Sequence, residues 1–214
     1  MLDERTLGLA DSRGNKQYVT IGNTIMNHRM PLPVGHTLTL QIRWQGNTYE
    51  ATELVLVGVP MDSLIFTPAE SGIDDDDSGL HATIAARDPG NQRNFYLWDQ
   101  FVDGRRLVSP NTDSYSRVVI SDELFNGGFL RAFQPYERFG LRSGQSVNVR
   151  QLSIPERVVC FNSALSEQSA NDGSPFGVAP SSVRGNVANV SRPSQVALGY
   201  FIAGEYSELE RTVP

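Results

Sequence analysis

The feature that most limits the fold of this chain is a strict alternation of apolar and polar residues over 37–44. Its apolar members are Leu38, Leu40, Ile42 and Trp44. Residues two apart lie on the same face of a strand, so this segment predicts a strand with one apolar face. The Gln45-Gly46-Asn47 sequence is typical of a turn, and residues 48–52 are predicted to return as the second strand of a hairpin.

Composition favours the same class of fold along the rest of the chain. The 214 residues include 19 glycines and 12 prolines, and Val, Thr, Tyr and Phe recur in short runs. Such runs, separated by turn residues, favour strands over helices. We therefore predict an all-β protein.

The charge balance argues against one class of partner. The formal net charge is −6, from 24 acidic and 18 basic side chains. No Lys/Arg cluster dominates any segment, and an acidic chain is repelled by a phosphate backbone. We predict that the protein does not bind nucleic acid.

A polar stretch near residues 67–79 predicts the domain boundary. The prediction is a partial sandwich over 1–68, an acidic linker over 69–78, and a β-rich domain over 79–214. About four strands are predicted before residue 67, which is too few for an independent sandwich. The first domain is therefore expected to be incomplete and to have an exposed sheet edge.

One short helix is predicted within the second domain, at about residues 154–168. Ser153 and Glu156 have the spacing of a capping box, in which each side chain bonds a backbone N–H of the first turn. Val158, Phe161 and Leu165 follow at helical spacing and would pack onto a sheet.

Four motifs in order carry a resemblance to a known family. They are Asp88-Pro89 with Asn94-Phe95-Tyr96, the segment 121–127, the segment 144–154, and the closing stretch 175–203. Together they resemble a family of Bacteroidota surface lipoproteins of unknown chemistry, domain-of-unknown-function family 4249. The resemblance implies an immunoglobulin- or transthyretin-like first sandwich, only partly present here because further strands lie upstream, followed by a second β-sandwich-type domain. It also implies a protein exported and anchored through an N-terminal cysteine. Such genes often lie beside TonB-dependent transporters.

The two lines of reasoning differ on localisation. No segment approaches the roughly 18 apolar residues of a membrane helix. The opening Met1-Leu2-Asp3-Glu4-Arg5 lacks the apolar core of a signal peptide and, read alone, indicates a cytoplasmic protein. The resemblance implies the outer membrane and the cell surface, with a lipid anchor as the only membrane attachment. We follow the resemblance, and infer either a truncated chain or a start assigned to an internal methionine.

The acidic run Asp74, Asp75, Asp76 and Asp77 is the candidate metal site. Calcium binds several oxygen ligands, and a flexible acidic loop can wrap around the ion. The spaced ligand pattern of a calcium loop is missing, however, so a solvated linker is the favoured alternative. We predict no other cofactor.

The aromatic segment 94–102 is the candidate ligand-binding site. In a strand, Tyr96 and Trp98 would share one face, and with Asn94 and Asp99 nearby they could form a platform for a sugar or a peptide. Burial of both faces of the strand explains the same pattern and is the favoured alternative.

Catalytic machinery is hard to assemble from this sequence. There is no Gly-x-Ser-x-Gly elbow and no phosphate-binding glycine loop. Asp122 and Glu123 are neighbours, so they cannot flank one substrate as glycosidase carboxylates do, and we interpret them as turn caps. Cys160 is predicted to be a buried small hydrophobe.

Three functions follow from these considerations. The first is a non-catalytic surface lipoprotein that captures a ligand or acts as a scaffold beside a TonB-dependent uptake system. The second is a surface hydrolase acting on glycans or peptides. The third is a protein-interaction module that pairs with a partner strand through its open sheet edge.

Overall fold

The structure is a computed structural model that describes residues 5–11, 16–21, 34–68, 79–107, 118–137, 139–169 and 183–214. Within these ranges the chain forms thirteen strands and one helix, so the predicted all-β class with a single short helix is confirmed. The strands are β1 Arg5–Asp11, β2 Lys16–Ile21, β3 Thr37–Trp44, β4 Asn47–Leu54, β5 Met61–Pro68, β6 Leu80–Arg87, β7 Phe95–Val102, β8 Arg105–Arg106, β9 Val118–Ser121, β10 Phe129–Phe133, β11 Ser146–Ser153, β12 Ala188–Asn189 and β13 Tyr206–Thr212, and the helix α1 is Glu156–Ser169.

The chain divides into two compact units, and each unit contains two separate stretches of sequence. The first unit is Met1–Val57 with Val178–Gly204, and the second is Gly58–Gly177 with Glu205–Pro214. This division differs from the predicted boundary near residue 68. Strand β5 belongs to the second unit because it pairs with β6 from Met61↔Ala86 to Pro68↔Leu80. The acidic run therefore joins two paired strands of one unit.

The first unit contains a five-stranded sheet in the order β12-β4-β3-β1-β2. The predicted hairpin is present: β3 and β4 pair antiparallel, with Leu40 opposite Ala51. Gln45 and Gly46 form its turn with positive φ angles of 47° and 72°, which is why glycine suits the second position. Leu38, Leu40 and Ala51 are buried on one face, together with Val55 and Ala203.

Residues 197–203, in the closing stretch of the first unit, form no strand although apolar and aromatic residues dominate them. Phe201 packs against the small core, while Leu198 is 67% exposed. The side chain of Asn186 takes the place of a neighbouring strand. Its Oδ1 accepts from the Phe201 backbone N–H at 2.8 Å, and its Nδ2 donates to the Phe201 carbonyl at 2.9 Å. Side-chain hydrogen bonding therefore replaces a ladder here.

The second unit is a two-sheet arrangement around one core. One sheet has the order β10-β6-β5, and the other has the order β13-β11-β7-β8 with β9 also paired to β7. Trp98 and Tyr96 from β7, Val147 and Val149 from β11, and Ile84 from β6 are buried together. Apolar side chains from facing sheets thus close the core, as in a β-sandwich.

Helix α1 lies where it was predicted, but its start differs from the predicted capping box. Ser153 is the last residue of β11 and is paired with Tyr96, so it lies before the helix begins. Its buried Oγ has no hydrogen-bond partner in the described part of the chain. Val158 is fully buried on the inner side of the helix. No helix of the described residues is long and apolar enough to span a membrane.

Candidate functional site

The predicted aromatic platform on β7 lies in the core. Tyr96 is 2% exposed and Trp98 is 0% exposed. Trp98 packs 4.9 Å from the ring of Phe133 on the facing sheet, and its Nε1 donates to Gln151 Oε1 at 3.1 Å. Leu97, on the opposite face of the strand, is also fully buried. Two-sided burial is therefore the correct explanation of the aromatic pattern, and the two rings cannot stack on a ligand.

Asp99 lies on the other face of the sheet from Trp98. It is 4% exposed, and Arg106 Nε donates to its Oδ1 at 3.0 Å, with a second hydrogen bond from Arg106 Nη2. The two hydrogen bonds, both to one carboxylate oxygen, pair a positive charge with a carboxylate that is largely removed from water.

The outer face of the same sheet carries a cluster that the sequence did not reveal, which we call the Arg150 face. It consists of Asp99, Phe101, Arg150, Tyr206 and Glu208. The guanidinium carbon of Arg150 lies 4.4 Å from the Phe101 ring centre and 5.7 Å from that of Tyr206. Arg150 Nε also donates to Glu208 Oε1 at 3.0 Å.

The members of the Arg150 face come from three different strands. Antiparallel pairing places Arg150 opposite both Asp99 of β7 and Glu208 of β13. The alternation along β11 puts Val147 and Val149 on its buried face, which leaves Arg150 on the other face. The strand order that brings its partners together was not predictable from that pattern.

Asn94 connects two loops at one end of the second unit. The first loop, 88–94, joins β6 to β7, and the second, 122–128, joins β9 to β10. The Asn94 backbone N–H donates to Asp122 Oδ2 at 2.8 Å, and Asp122 N–H donates to the Asn94 carbonyl at 2.9 Å. Asp122 was predicted to cap a turn, and in the structure its side chain instead accepts from the backbone N–H of Asn94 in the other loop.

Asp88 is the second buried carboxylate of this region and is 5% exposed. It accepts hydrogen bonds from the Tyr96 hydroxyl through Oδ1 and from the Gly127 backbone N–H, at 2.9 Å, through Oδ2. Burial raises the pKa of Tyr96 well above its ordinary value, and the hydrogen bond to Asp88 and the charges of Asp88 and Asp122 add to the effect. Tyr96 is therefore a hydrogen-bond donor at neutral pH.

The remaining predicted site residues have different outcomes. The run Asp74, Asp75, Asp76 and Asp77 lies outside the described residues. Cys160, predicted to be buried, is exposed, because it lies two residues and so about 200° around the helix from the inward-facing Val158.

The described residues do not bring together an evident catalytic or zinc-like constellation. No group of three His, Cys, Asp or Glu side chains converges in the described ranges. His81 is fully buried in β6. A crevice beside Asp88, Tyr96 and Phe125 is too narrow to hold a water molecule.

The fold and this arrangement define an all-β protein with two units and a polar-aromatic sheet face. A family model described as "Domain of unknown function (DUF4249)" matches residues 5–210, and the chain belongs to that family. No curated protein matches the chain. Among solved structures, a segment of two fibronectin type III domains from chicken tenascin is similar at a TM-score of 0.24 and 14% identity, over 72% of this chain and 77% of that chain. That likeness is too low to bear on the fold, which rests on the strands described above.

Proposed function

We propose that the protein is a non-catalytic accessory lipoprotein that captures a ligand at a Bacteroidota cell surface. In this proposal a lipid anchor holds it at the outer membrane beside a TonB-dependent transporter, where it serves nutrient uptake. The resemblance carried by the four sequence motifs supports the proposal, because it implies an exported surface lipoprotein. The ligand is a glycan or a peptide.

The Arg150 face is the observation that carries ligand capture. A guanidinium held between two aromatic rings presents a planar donor with fixed geometry. Arg150 and Glu208 retain side-chain exposures of 21% and 22%, so a ligand can reach them. Sugars and extended peptides offer hydroxyl or amide groups for such donors, and an apolar face for rings. The proposed ligand site therefore moves from the Trp98 side of β7 to the opposite side.

A glycan and peptide array tests the ligand-capture proposal. The native chain is compared with Arg150→Lys, which keeps the charge but loses the planar group, and with Arg142→Ala, which removes an exposed arginine elsewhere in the unit. We expect binding to fall at least tenfold in Arg150→Lys and to be retained in Arg142→Ala. Trp98→Phe should alter stability but leave affinity unchanged. No binding by the native chain, equal binding by Arg150→Lys, or cleavage of the probe would contradict the proposal.

The location and partner are tested separately in the native host. Labelling with an alkyne fatty acid should tag the protein if it is lipid-anchored. Mild solubilisation of the outer membrane should then recover it with a TonB-dependent transporter. A protein that remains unlabelled, or that fractionates without any transporter, would contradict this part of the proposal.

A further inference from the structure

The side-chain nitrogen of Asn94 lies at the centre of a group of oxygen atoms. Nδ2 is 3.3 Å from Asp88 Oδ1, 3.1 Å from the Pro89 carbonyl, 3.3 Å from the Gln92 carbonyl and 3.4 Å from Asp122 Oδ2. A primary amide has two hydrogens and cannot donate well to four acceptors. Three of the four distances also exceed the usual 2.7–3.2 Å of an N–H···O bond, and only the contact to the Pro89 carbonyl lies within it. Four oxygens thus converge on one amide nitrogen, and two of them have a further donor: Asp88 Oδ1 accepts from the Tyr96 hydroxyl and Asp122 Oδ2 from the Asn94 backbone N–H.

A second observation concerns Asp122, which is fully buried. Its Oδ2 takes part in the contacts to Asn94, while its Oδ1 has no hydrogen-bond partner. Neither Asp122 nor Asp88 forms an ion pair within the described ranges. Burying an ionised carboxylate without a compensating charge is costly. Among the described residues the two buried carboxylates therefore lack a compensating positive charge, and Asp122 Oδ1 also lacks a hydrogen-bond partner.

We propose that these residues form a calcium site. Its ligands would be the carboxylates of Asp88 and Asp122, the carbonyls of Pro89 and Gln92, and Oδ1 of Asn94. Calcium takes six to eight oxygen ligands at 2.3–2.6 Å, and mixed sets of carboxylate, carbonyl and amide oxygens are typical. Five residues supply enough oxygens when one carboxylate binds through both of its atoms.

Calcium binding requires a small local rearrangement. The Asn94 amide turns so that Oδ1, which now accepts from Gln92 Nε2 at 3.0 Å, replaces Nδ2. Oδ1 then joins the surrounding oxygens, and the side chain must draw back to leave room for the ion among them. Magnesium is disfavoured because it demands a near-ideal octahedron, whereas these ligands are set by two separate loops.

The frame around the site is already held in place. A Cβ built on Gly90 would lie 2.5 Å from Gly127 Cα, so the two loops touch backbone to backbone. The Asp88 N–H donates to the Gly128 carbonyl at 3.0 Å. The carboxylates are therefore positioned before any ion arrives, which lowers the entropy lost on binding.

The rival explanation is that the Asn94 amide only ties the two loops together. The two explanations differ for Asn94→Asp. A third carboxylate at a calcium site should make folding strongly calcium-dependent and tighten binding, whereas in a purely structural tie the same change destabilises the chain with or without calcium.

The test uses the full chain stripped with EDTA and then given calcium or magnesium chloride at matched ionic strength. Thermal melting, calorimetry and terbium luminescence excited through the aromatic residues are measured. The variants are Asp122→Asn, Asn94→Asp, the exposed control Asp62→Asn, and a chain with Asp74, Asp75, Asp76 and Asp77 all changed to Asn.

We expect calcium, and not magnesium, to raise the melting temperature of the native chain, of Asp62→Asn and of the variant without the acidic run. Asp122→Asn should bind calcium at least tenfold more weakly, and Asn94→Asp should bind it more tightly. If Asp122→Asn does not fold, calcium rescue of Asn94→Asp and terbium luminescence in the native chain decide the question. The absence of any calcium effect on the native chain would overturn the proposal, as would an effect that disappears only with the acidic run.

Discussion

Asp99 and Arg106 form an ion pair whose two side chains differ strongly in exposure. The Asp99 side chain is 6% exposed and that of Arg106 is 34% exposed. Removing the arginine takes the positive charge away from a buried carboxylate, so Arg106→Ala should destabilise the protein by about 2–3 kcal/mol. Denaturant unfolding measures this loss.

The Arg93–Glu156 pair supplies the control for Arg106→Ala. Its closest contact is 3.8 Å, and its side chains are 58% and 62% exposed. Arg93→Ala should therefore cost less than about 1 kcal/mol. Equal losses in the two variants would show that burial does not set the strength of these pairs.

The Tyr96 hydroxyl should contribute to stability through the buried Asp88. Tyr96→Phe removes a donor to a charged acceptor and should cost about 2 kcal/mol at pH 7. Tyr136→Phe is the matched control, because the Tyr136 hydroxyl donates to a neutral acceptor, the Trp98 carbonyl, at 3.0 Å. It should cost about 1 kcal/mol. A smaller loss for Tyr96→Phe than for Tyr136→Phe would contradict this account.

The raised pKa of Tyr96 also predicts a pH dependence, measured in EDTA so that the carboxylates carry no ion. Above the ordinary tyrosine value of 10.0, the unfolded chain releases a proton that the folded chain keeps. The folded chain then binds more protons, so its stability falls as pH rises. The contribution of Tyr96 to the free energy of unfolding is therefore fully present below pH 10 and is lost progressively as the pH rises above it. The free energy of unfolding of Tyr96→Phe should fall less steeply above pH 10 than that of the native chain.

At the scale of elements, the positions of strands were easier to predict from the sequence than the elements that pack against each strand face. The hairpin β3–β4 was predictable because its alternation and its turn are both local signals. The alternation in β7 was equally visible, but which face meets a second sheet depends on Phe133 and other distant residues. Ser153 shows the same limit: its spacing to Glu156 fits a cap, yet strand pairing with Tyr96 holds it in β11.

The loop pair 88–94 and 122–128 depends on the close approach of Gly90 and Gly127. In Gly90→Ala the added methyl group would meet backbone atoms, which cannot rotate away. The loops must separate, weakening the bond from Gly127 N–H to Asp88, and the loss of stability should be about 2–3 kcal/mol. Amide exchange should rise in both loops.

Gly104→Ala is the control that distinguishes the effect of the Gly90–Gly127 contact from the effect of backbone strain in a turn. Gly104 has a φ of +76° and open space around its Cβ position, so alanine there meets only backbone strain. Exchange should increase near the β7–β8 turn and remain unchanged in the loop pair. If amide exchange in the two loops is unchanged in Gly90→Ala, the Gly90–Gly127 backbone contact does not hold the loops together.

At the scale of the molecule, the two units are interleaved in sequence, and this was the least predictable property. The polar stretch 67–79 resembled a linker because it lacks large apolar residues, but β5 and β6 pair across it. Likewise, residues 205–214 return to the second unit after the chain has passed through the first. Composition marks where a chain is polar, whereas unit boundaries follow strand partners that are distant in sequence.

The C-terminal strand should therefore be essential to the second unit. β13 pairs with β11 from Ser146↔Thr212 to Leu152↔Tyr206, and Val213 beyond it is 2% exposed. Deleting residues 205–214 should abolish amide protection in β11 and β7, because an edge of their sheet and part of the core are lost. The hairpin β3–β4 should keep its protection, since both strands and their buried contacts lie in the first unit. Deleting Pro214 alone, an exposed residue, is the control and should change neither. Hydrogen exchange read by mass spectrometry resolves these segments, and a protected β11 in the truncated chain would show that the second unit folds without its returning strand.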